Sequence, residues 1–205
     1  MKITRVTCCL FVLLLSLVAL AFSTTAPRAH AAASGSTTVF RFNALTTIAD
    51  FDSTSGCIET FAEVDGTQSN LGPEADVLIA QFDNCTGTLL LEAVGSTLNP
   101  NFQVAKSLTS ASLSATISVF DFVSGNTFNV SVNMAWTSTS TIMNEVQTFH
   151  IHTKGFTENF HLNATFRDAS ASGTVSNGTT NFTPSPSVFA QIASVKVGDV
   201  TISHS

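Results

Sequence analysis

The chain has 205 residues, with 8 Lys and Arg against 14 Asp and Glu, and its formal net charge at neutral pH is −6. This acidity excludes DNA, RNA and anionic lipid as expected partners, because each of them needs a basic protein surface. Apolar residues make up 44% of the chain and Phe alone accounts for 17 residues, which excludes an intrinsically disordered protein.

Residues 1–33 are predicted to be an export signal. Lys2 and Arg5 precede the apolar run Cys8–Phe22, which is shorter than the ~20 residues that a membrane span needs. Small residues in Ala-x-Ala spacing follow up to Ala33, as at a signal-peptide cleavage site, and they favour this interpretation over a retained membrane anchor. We therefore expect residues 34–205 to be secreted from a bacterial cell as one antiparallel β domain, without membrane insertion. This mature part has five basic against 14 acidic residues, a net charge of −9.

Two cysteines, Cys57 and Cys85, follow the leader. In an exported chain the simplest arrangement is a disulfide between them, with two buried free thiols as the alternative. If the two cysteines lie directly opposite each other on antiparallel strands, Glu59 lies opposite Asp83 on one face. A bound calcium ion would relieve this like-charge pair, and a shifted register would avoid it. The apolar face would consist of Ile58, Ala62 and Val64 against Leu78, Ala80 and Phe82.

Residues 111–136 predict a β-hairpin, because apolar and polar residues alternate with period two on both sides of Ser124-Gly125. A two-residue turn at these positions brings all the apolar residues onto one face, which we expect to be buried together with Trp136. The resulting register pairs Val119 with Val130, Ile117 with Val132, Ala115 with Met134 and Leu113 with Trp136.

Strand patterns recur along the rest of the mature chain, and no long stretch has helical periodicity. Asn177-Gly178 predicts a second hairpin with a tight turn, and Gly198-Asp199 predicts a third near the C-terminus. Many short strands with turn signals at short intervals are typical of an all-β fold. We therefore expect a single-domain antiparallel β-sandwich, with an antiparallel β-barrel as the alternative.

Residues 150–161 hold the one group of residue types that suggests chemistry. His150 and His152 are two apart on a predicted strand, so both project from one face. If a long hairpin loop places His152 opposite His161, then His150 lies opposite Asn163 and three imidazoles share the outer surface. Three His ligands with an open fourth position suit Zn²⁺ or Cu²⁺. A solvated polar face and a pH-responsive patch are the alternatives.

Two metal-binding families share short features with this segment. The string FHIH at 149–152, followed by Gly155, resembles the copper-ligand strand of the Cu/Zn superoxide dismutases, and His-x-His with Glu158 resembles the first cupin motif. Either resemblance implies that His150 and His152 bind a metal. The further histidines of the dismutases have no counterpart, since only His204 follows His161, and the second cupin motif is absent. The stretch 117–137 is similar to uncharacterised exported bacterial proteins.

The sequence favours a non-catalytic function. It contains no Gly-x-Ser-x-Gly elbow, no His-Glu-x-x-His and no phosphate-binding loop. We expect an exported protein that binds a protein or another ligand at the cell surface or in the medium. The alternatives are a metal-binding protein that uses His150, His152 and His161 with Zn²⁺ or Cu²⁺, and a structural component of the cell envelope.

Overall fold

The computed structural model describes residues 37–153 and 156–204, and these residues form ten β-strands and no helix. The predicted leader therefore lies outside the described residues. Within them, no helix is long and apolar enough to cross a membrane. The strands are β1 Thr37–Ser55, β2 Ile58–Ser69, β3 Gly72–Asp83, β4 Thr88–Leu98, β5 Asn101–Val104, β6 Ser110–Asp121, β7 Thr127–Ser138, β8 Met143–Thr153, β9 Phe156–Ser176 and β10 Phe189–His204.

All strand pairs are antiparallel, and the hydrogen bonding closes into a ring. The order around the ring is β10-β1-β2-β3-β4-β6-β7-β9, and β9 pairs back with β10. Strand β8 adds to β9, and β5 adds to β6. The prediction of an all-β antiparallel fold is confirmed, and the ring-like bonding is compatible with both the sandwich and the barrel that the sequence allows.

The inward-facing side chains of the ring form the main core. Alternation along β6 and β7 sends their apolar residues inward, as the period-two pattern predicts. Trp136 is 1% exposed, and its Nε1 donates a hydrogen bond to the carbonyl oxygen of Ile48 at 3.0 Å. This bond satisfies the one polar atom of the side chain, so the indole can lie in the core without an unpaired donor. The largest other buried side chains are Phe51, Ile79, Leu113, Ile117, Met134 and Ile192.

The predicted register of the β6–β7 hairpin is wrong by two residues, although the buried face is the predicted one. Val119 lies opposite Phe128 and Ile117 lies opposite Val130. The connection is longer than a two-residue turn because the Asp121 carboxylate accepts hydrogen bonds from the backbone amides of Val123 and Ser124, at 3.0 and 3.2 Å. A shift of two positions keeps every side chain on its face, so the apolar pattern alone does not distinguish the two registers.

The predicted register of β2 and β3 is wrong by one residue, which reverses the face of β3. Glu59 lies opposite Phe82, and Val64 lies opposite Val77. The buried residues of β3 are therefore Ala75, Val77 and Ile79, and Leu78, Ala80 and Phe82 point away from the core. The cysteines do not lie directly opposite each other, because Cys85 belongs to a turn in which Asp83 Oδ1 accepts its backbone N–H at 2.9 Å.

Strands β4 and β6 close the ring over a short seam. Only Ala93 and Val94 of β4 pair with β6, and Phe122 donates its backbone N–H to the Glu92 carbonyl oxygen at 2.8 Å. A Cβ atom added at Gly95 would lie 2.3 Å from the Ser118 carbonyl oxygen. Only a glycine therefore allows the two strands to approach this closely.

Strand β9 is long enough to leave the ring. Its second half, 169–176, pairs with β7, and its first half, 156–168, pairs with β8 on one edge and β10 on the other.

The predicted turn at Gly198-Asp199 is wrong, because both residues lie within β10 at an irregularity of its pairing with β9. The Asn177-Gly178 turn is present, with Gly178 at φ 91°, but only an isolated bridge between Ser176 and Asn181 follows it.

Candidate binding site at one end of the ring

The β8–β9 hairpin brings the three histidines onto one face, but with a register that differs from the prediction. Thr153 pairs with Phe156, so residues 156–160, which were predicted to belong to the loop, pair with β8 instead. As a result His161 lies opposite Thr148, and neither His152 nor His150 lies opposite the residue expected for it. We call this surface the histidine face; it consists of Thr148, His150, His152, Thr157, Asn159 and His161.

Each imidazole of the histidine face bonds to the polar side chain across from it. The Nδ1 atoms of His152 and His161 lie 2.8 Å from the hydroxyl oxygens of Thr157 and Thr148. Nδ1 of His150 lies 2.6 Å from Asn159 Oδ1. Because an amide oxygen only accepts, the neutral ring of His150 carries its proton on Nδ1 and has a free lone pair on Nε2.

The histidines lie near one another without forming a closed ligand set. In the part of the chain that the structure describes, one group brings three possible ligand atoms within 4.8 Å of one another, and it consists of Cys57, Asp83 and Cys85. The two sulfur atoms of that group form a disulfide, so they offer no thiolate to a metal. A metal bound by His150, His152 and His161 would need their side chains to turn toward a common centre.

The predicted disulfide between Cys57 and Cys85 is confirmed, with a Cα–Cα distance of 5.4 Å. It links Cys57, the residue that precedes β2, to the turn that follows β3. A disulfide of this kind fits an oxidising environment outside the cell.

A cavity of about 470 Å³ lies at the end of the ring where β8, β9 and β10 extend past it. Residues on one face of β1, β9 and β10 form one side, and two loops, which precede β6 and β8, form the other. Thr165 is held in place by a hydrogen bond from its hydroxyl to Asn144 Oδ1, at 2.9 Å. This mouth cavity is lined by Leu45, Lys106, Ser107, Leu108, Ile142, Asn163, Thr165, Ser194 and Lys196.

The mouth cavity and the histidine face belong to the same side of the sheet. Asn163 lines the cavity, and His161 is two residues before it on β9, so both side chains project the same way. The surface therefore runs without a change of face from the cavity to the tip of the hairpin. Threonine, asparagine and histidine side chains cover most of it.

Arg167 holds the two loops that form the far wall of the mouth cavity. Its Nε donates a hydrogen bond to the carbonyl oxygen of Ser107 at 3.2 Å, and its Nη1 donates to that of Ser140 at 2.8 Å. Ser107 lines the cavity and Ser140 precedes Ile142, which also lines it. Arg167 is thus a positioning residue for this wall, and its charge lies beside the cavity.

A second group of ionisable residues lies on the outer face of β1, β2 and β3. Asp50 lies directly opposite Glu63, and Asp65 lies directly opposite Asp76. The like-charge pair that directly opposed cysteines would create at Glu59 and Asp83 is absent, because Glu59 lies opposite Phe82. Glu59 accepts a hydrogen bond from Asn84 Nδ2 at 2.9 Å. We call Asp50, Glu63, Asp65, Glu74 and Asp76 the acidic cluster.

Burial and mutual repulsion make the acidic cluster resist ionisation. Desolvation, followed by the charge of Glu63, raises the pKa of Asp50 to about 6. Desolvation, followed by the charges of Glu74 and Glu63, raises the pKa of Asp76 to about 6. Burial also raises the pKa of Asp65 well above its usual range, and one oxygen of Asp65 is buried without a hydrogen-bond partner. The cluster therefore opposes folding when all its members are charged.

Comparison with family models, with curated proteins and with solved structures finds no match to this chain. The site is therefore interpreted from its own geometry. Sequence reasoning identified the histidines but missed Lys106, Arg167 and Lys196, which are far apart in the chain. The one sequence signal for them is the scarcity of basic residues, since only five lie after residue 33.

Proposed function

We propose that this is a non-catalytic binding protein that a bacterium secretes. It binds its partner, a ligand at the cell surface or in the medium, in the mouth cavity. The observation that carries the proposal is the cavity itself, with its volume of about 470 Å³. Pockets for small ligands fall in the range of roughly 300–1,000 Å³ and combine apolar walls with a few polar groups that fix orientation.

The lining supports binding of a polar ligand. Leu45, Leu108 and Ile142 supply apolar surface, and hydroxyl, amide and ammonium groups supply hydrogen bonds. These groups suit holding and orienting a ligand rather than attacking one, which favours a binding role over catalysis. The disulfide supports a location outside the cell, where such a bond persists.

The proposal predicts that filling the mouth cavity abolishes ligand binding. We would purify the protein after export with its own leader, label it with ¹⁵N, and titrate neutral and acidic sugars and organic acids by NMR. Saturable shifts at the amides of Thr165 and Ser194 are expected, and the variant Ser194→Trp should lose them because the indole occupies the cavity.

The matched control is Ser118→Trp, which adds the same bulk at an exposed position of β6. This variant should bind as the unmodified protein does. Shifts that persist in Ser194→Trp, or no saturable shift with any compound, would contradict the proposal. Ordered self-assembly of the protein without a ligand would favour a structural role in the envelope.

The histidine face supports metal binding as a second candidate function. A metal-ligating histidine ordinarily bonds through its other ring nitrogen to a carbonyl, carboxylate or water, which fixes the tautomer. His150 has this arrangement with Asn159 through Nδ1, and Nδ1 of His152 and of His161 is engaged with a threonine. The Nε2 atoms of these histidines are therefore the atoms that would bind Zn²⁺ or Cu²⁺.

Calorimetric titration with Zn²⁺ and with Cu²⁺ near neutral pH tests this second candidate. One equivalent should bind with a dissociation constant on the order of micromolar or tighter, and the double variant His150→Ala/His152→Ala should lose that binding. Equal binding by the double variant, or no binding by the unmodified protein, would remove the histidines as a metal site.

A further inference from the structure

We infer that the ligand of the mouth cavity is an anion, whose carboxylate, phosphate or sulfate group is held by Lys106 and Lys196. This inference rests on the proposed function, because it names the chemical class of the ligand for the same cavity.

Positive charge is concentrated at the mouth cavity. The mature chain has a net charge of −9 and only five basic residues. Three of these lie in or beside the mouth cavity: Lys106 and Lys196 line it, and Arg167 holds its wall. A cluster of positive charge in an acidic protein attracts anions to that place and repels cations from it.

The side chains that the structure describes on the cavity side of the sheet are neutral or basic. By register, the cavity side of β9 and β10 carries Asn163, Thr165, Arg167, Ser194 and Lys196. None of the side chains that the structure describes on this side of β8, β9 and β10 is acidic. The neighbouring acidic residues Glu145 and Asp168 lie at the alternate positions of their strands, so they project from the opposite face.

Lys106 and Lys196 also lack a neutralising partner among the described residues. In the described part of the chain, neither ammonium group has an ion-pair or hydrogen-bond partner. Two unpaired cations that line one cavity repel each other, and an anion between them converts this repulsion into attraction. Hydrogen bonds from an ammonium group to an oxyanion are also shorter and stronger than neutral ones.

The remaining lining fits the rest of such a ligand. Ser107 and Ser194 offer hydroxyl groups, Thr165 offers its hydroxyl oxygen as an acceptor, and Asn163 offers both a donor and an acceptor. These side chains lead on to the histidine face, so an acidic chain longer than the cavity would meet further polar groups along β8 and β9. The same chemistry would come from a small free acid or from the acidic unit of a polymer.

The test is a titration of the exported protein with matched acidic and neutral probes, followed by calorimetry and NMR. The probes are inorganic phosphate, galacturonate against galactose, and polygalacturonate against its fully methyl-esterified form. At least one acidic probe should bind about tenfold or more tightly than its neutral counterpart, and its affinity should fall as NaCl rises from about 50 to about 500 mM. Binding of polygalacturonate without galacturonate would identify a polymer as the source, and binding of galacturonate or phosphate would identify a small acid.

Charge variants connect this binding to the two lysines. Lys106→Met and Lys196→Met should each weaken binding of the acidic probe by about tenfold, and Lys106→Arg and Lys196→Arg, which keep the charge, should stay within about threefold. Thermal unfolding of each variant shows that the fold is retained. Because the methionine variants keep most of the side-chain volume, a loss of binding reports the charge.

Three outcomes would overturn the inference. These are equal binding of acidic and neutral probes, binding of neutral probes alone, and acidic binding that the methionine variants leave unchanged. The first two leave the proposed function standing, because a ligand still occupies the cavity and Ser194→Trp still removes it. If no compound of either class binds, the proposed function and the inference fall together.

Discussion

The double variant Cys57→Ser/Cys85→Ser is expected to be less stable than the disulfide-bonded protein by roughly 3–4 kcal/mol in free energy of unfolding. The two cysteines are 28 residues apart and enclose the whole β2–β3 hairpin. A crosslink across a loop of this length removes many conformations from the unfolded chain, so its loss favours unfolding. For a chain of this size the midpoint of thermal unfolding should fall by about 10 °C.

Urea unfolding and differential scanning calorimetry measure this effect. Reductant should lower the stability of the unmodified protein to that of the double variant, and it should leave the double variant unchanged. The disulfide lies near the end of β1 at Ser55, whereas the mouth cavity lies near Leu45, so ligand binding should survive reduction below the unfolding temperature. Identical midpoints with and without reductant would show that the crosslink does not stabilise the protein.

The variant Asp65→Asn is expected to be more stable than the unmodified protein at about pH 8, by about 1–3 kcal/mol. Asp65 lies opposite Asp76 and beside Glu63 and Asp50, and burial raises its pKa well above the usual range. Asparagine keeps the shape and the hydrogen-bonding capacity of the side chain without the charge. The carboxylates of Asp50, Glu63 and Asp76 then no longer face a fourth negative charge. Position 65 also no longer has to hold either a buried charge or a bound proton.

The same cluster predicts that stability falls as the pH rises from about 5 to about 8. The pKa of Asp50 and that of Asp76 are raised to about 6 in the folded protein, so the folded state holds more protons than the unfolded state between about pH 4 and pH 6. Raising the pH through this window therefore favours the unfolded state. Asp50 and Asp76 are partly exposed, and solvent screening reduces the effect of each.

Thermal unfolding of three proteins at about pH 5 and about pH 8 checks both expectations. The unmodified protein should have its higher midpoint at the lower pH, and Asp65→Asn should show a smaller difference between the two. The control is Asp52→Asn, the same substitution at an exposed position of β1 two residues after Asp50. A midpoint of Asp65→Asn at or below that of the unmodified protein at about pH 8 would disprove the repulsive role of the cluster.

These two effects lie apart from the mouth cavity, which leaves the binding tests easy to interpret. The disulfide lies at one end of the ring, and the acidic cluster lies on the outer face of β1, β2 and β3. The cavity lies at the other end of β1, among β8, β9, β10 and two loops. Variants of the cluster or the disulfide therefore report stability, whereas variants of Lys106, Ser194 and Lys196 report the ligand.

Much of the secondary structure follows from local pattern. Period-two alternation identified β6 and β7 and their buried residues, Trp136 included, because a strand that buries one face needs an apolar residue at every second position. The disulfide followed from the presence of two cysteines after the predicted export signal. The shared face of His150 and His152 followed from the same alternation.

Register and the course of the long strands did not follow from the pattern. A shift of two between β6 and β7 preserves every face, so hydrogen bonds from the backbone to Asp121 decided it. Between β2 and β3 the predicted register was wrong because it placed the two cysteines directly opposite each other on the strands. A disulfide also forms between residues of adjacent turns. The pairing of β9 with β7 and with β10 depends on closure of the ring, for which no local signal exists.

By itself, then, the sequence determined an all-β antiparallel chain, its disulfide, the inward residues of its central hairpin and the common face of its histidines. Each of these depends on residues that are near one another in the chain or on a single pair of cysteines. Only the tertiary structure brought Lys106, Arg167 and Lys196 to one cavity. Contacts of that kind arise when distant strands close into a ring, and the spacing of residues along the chain carries no record of them.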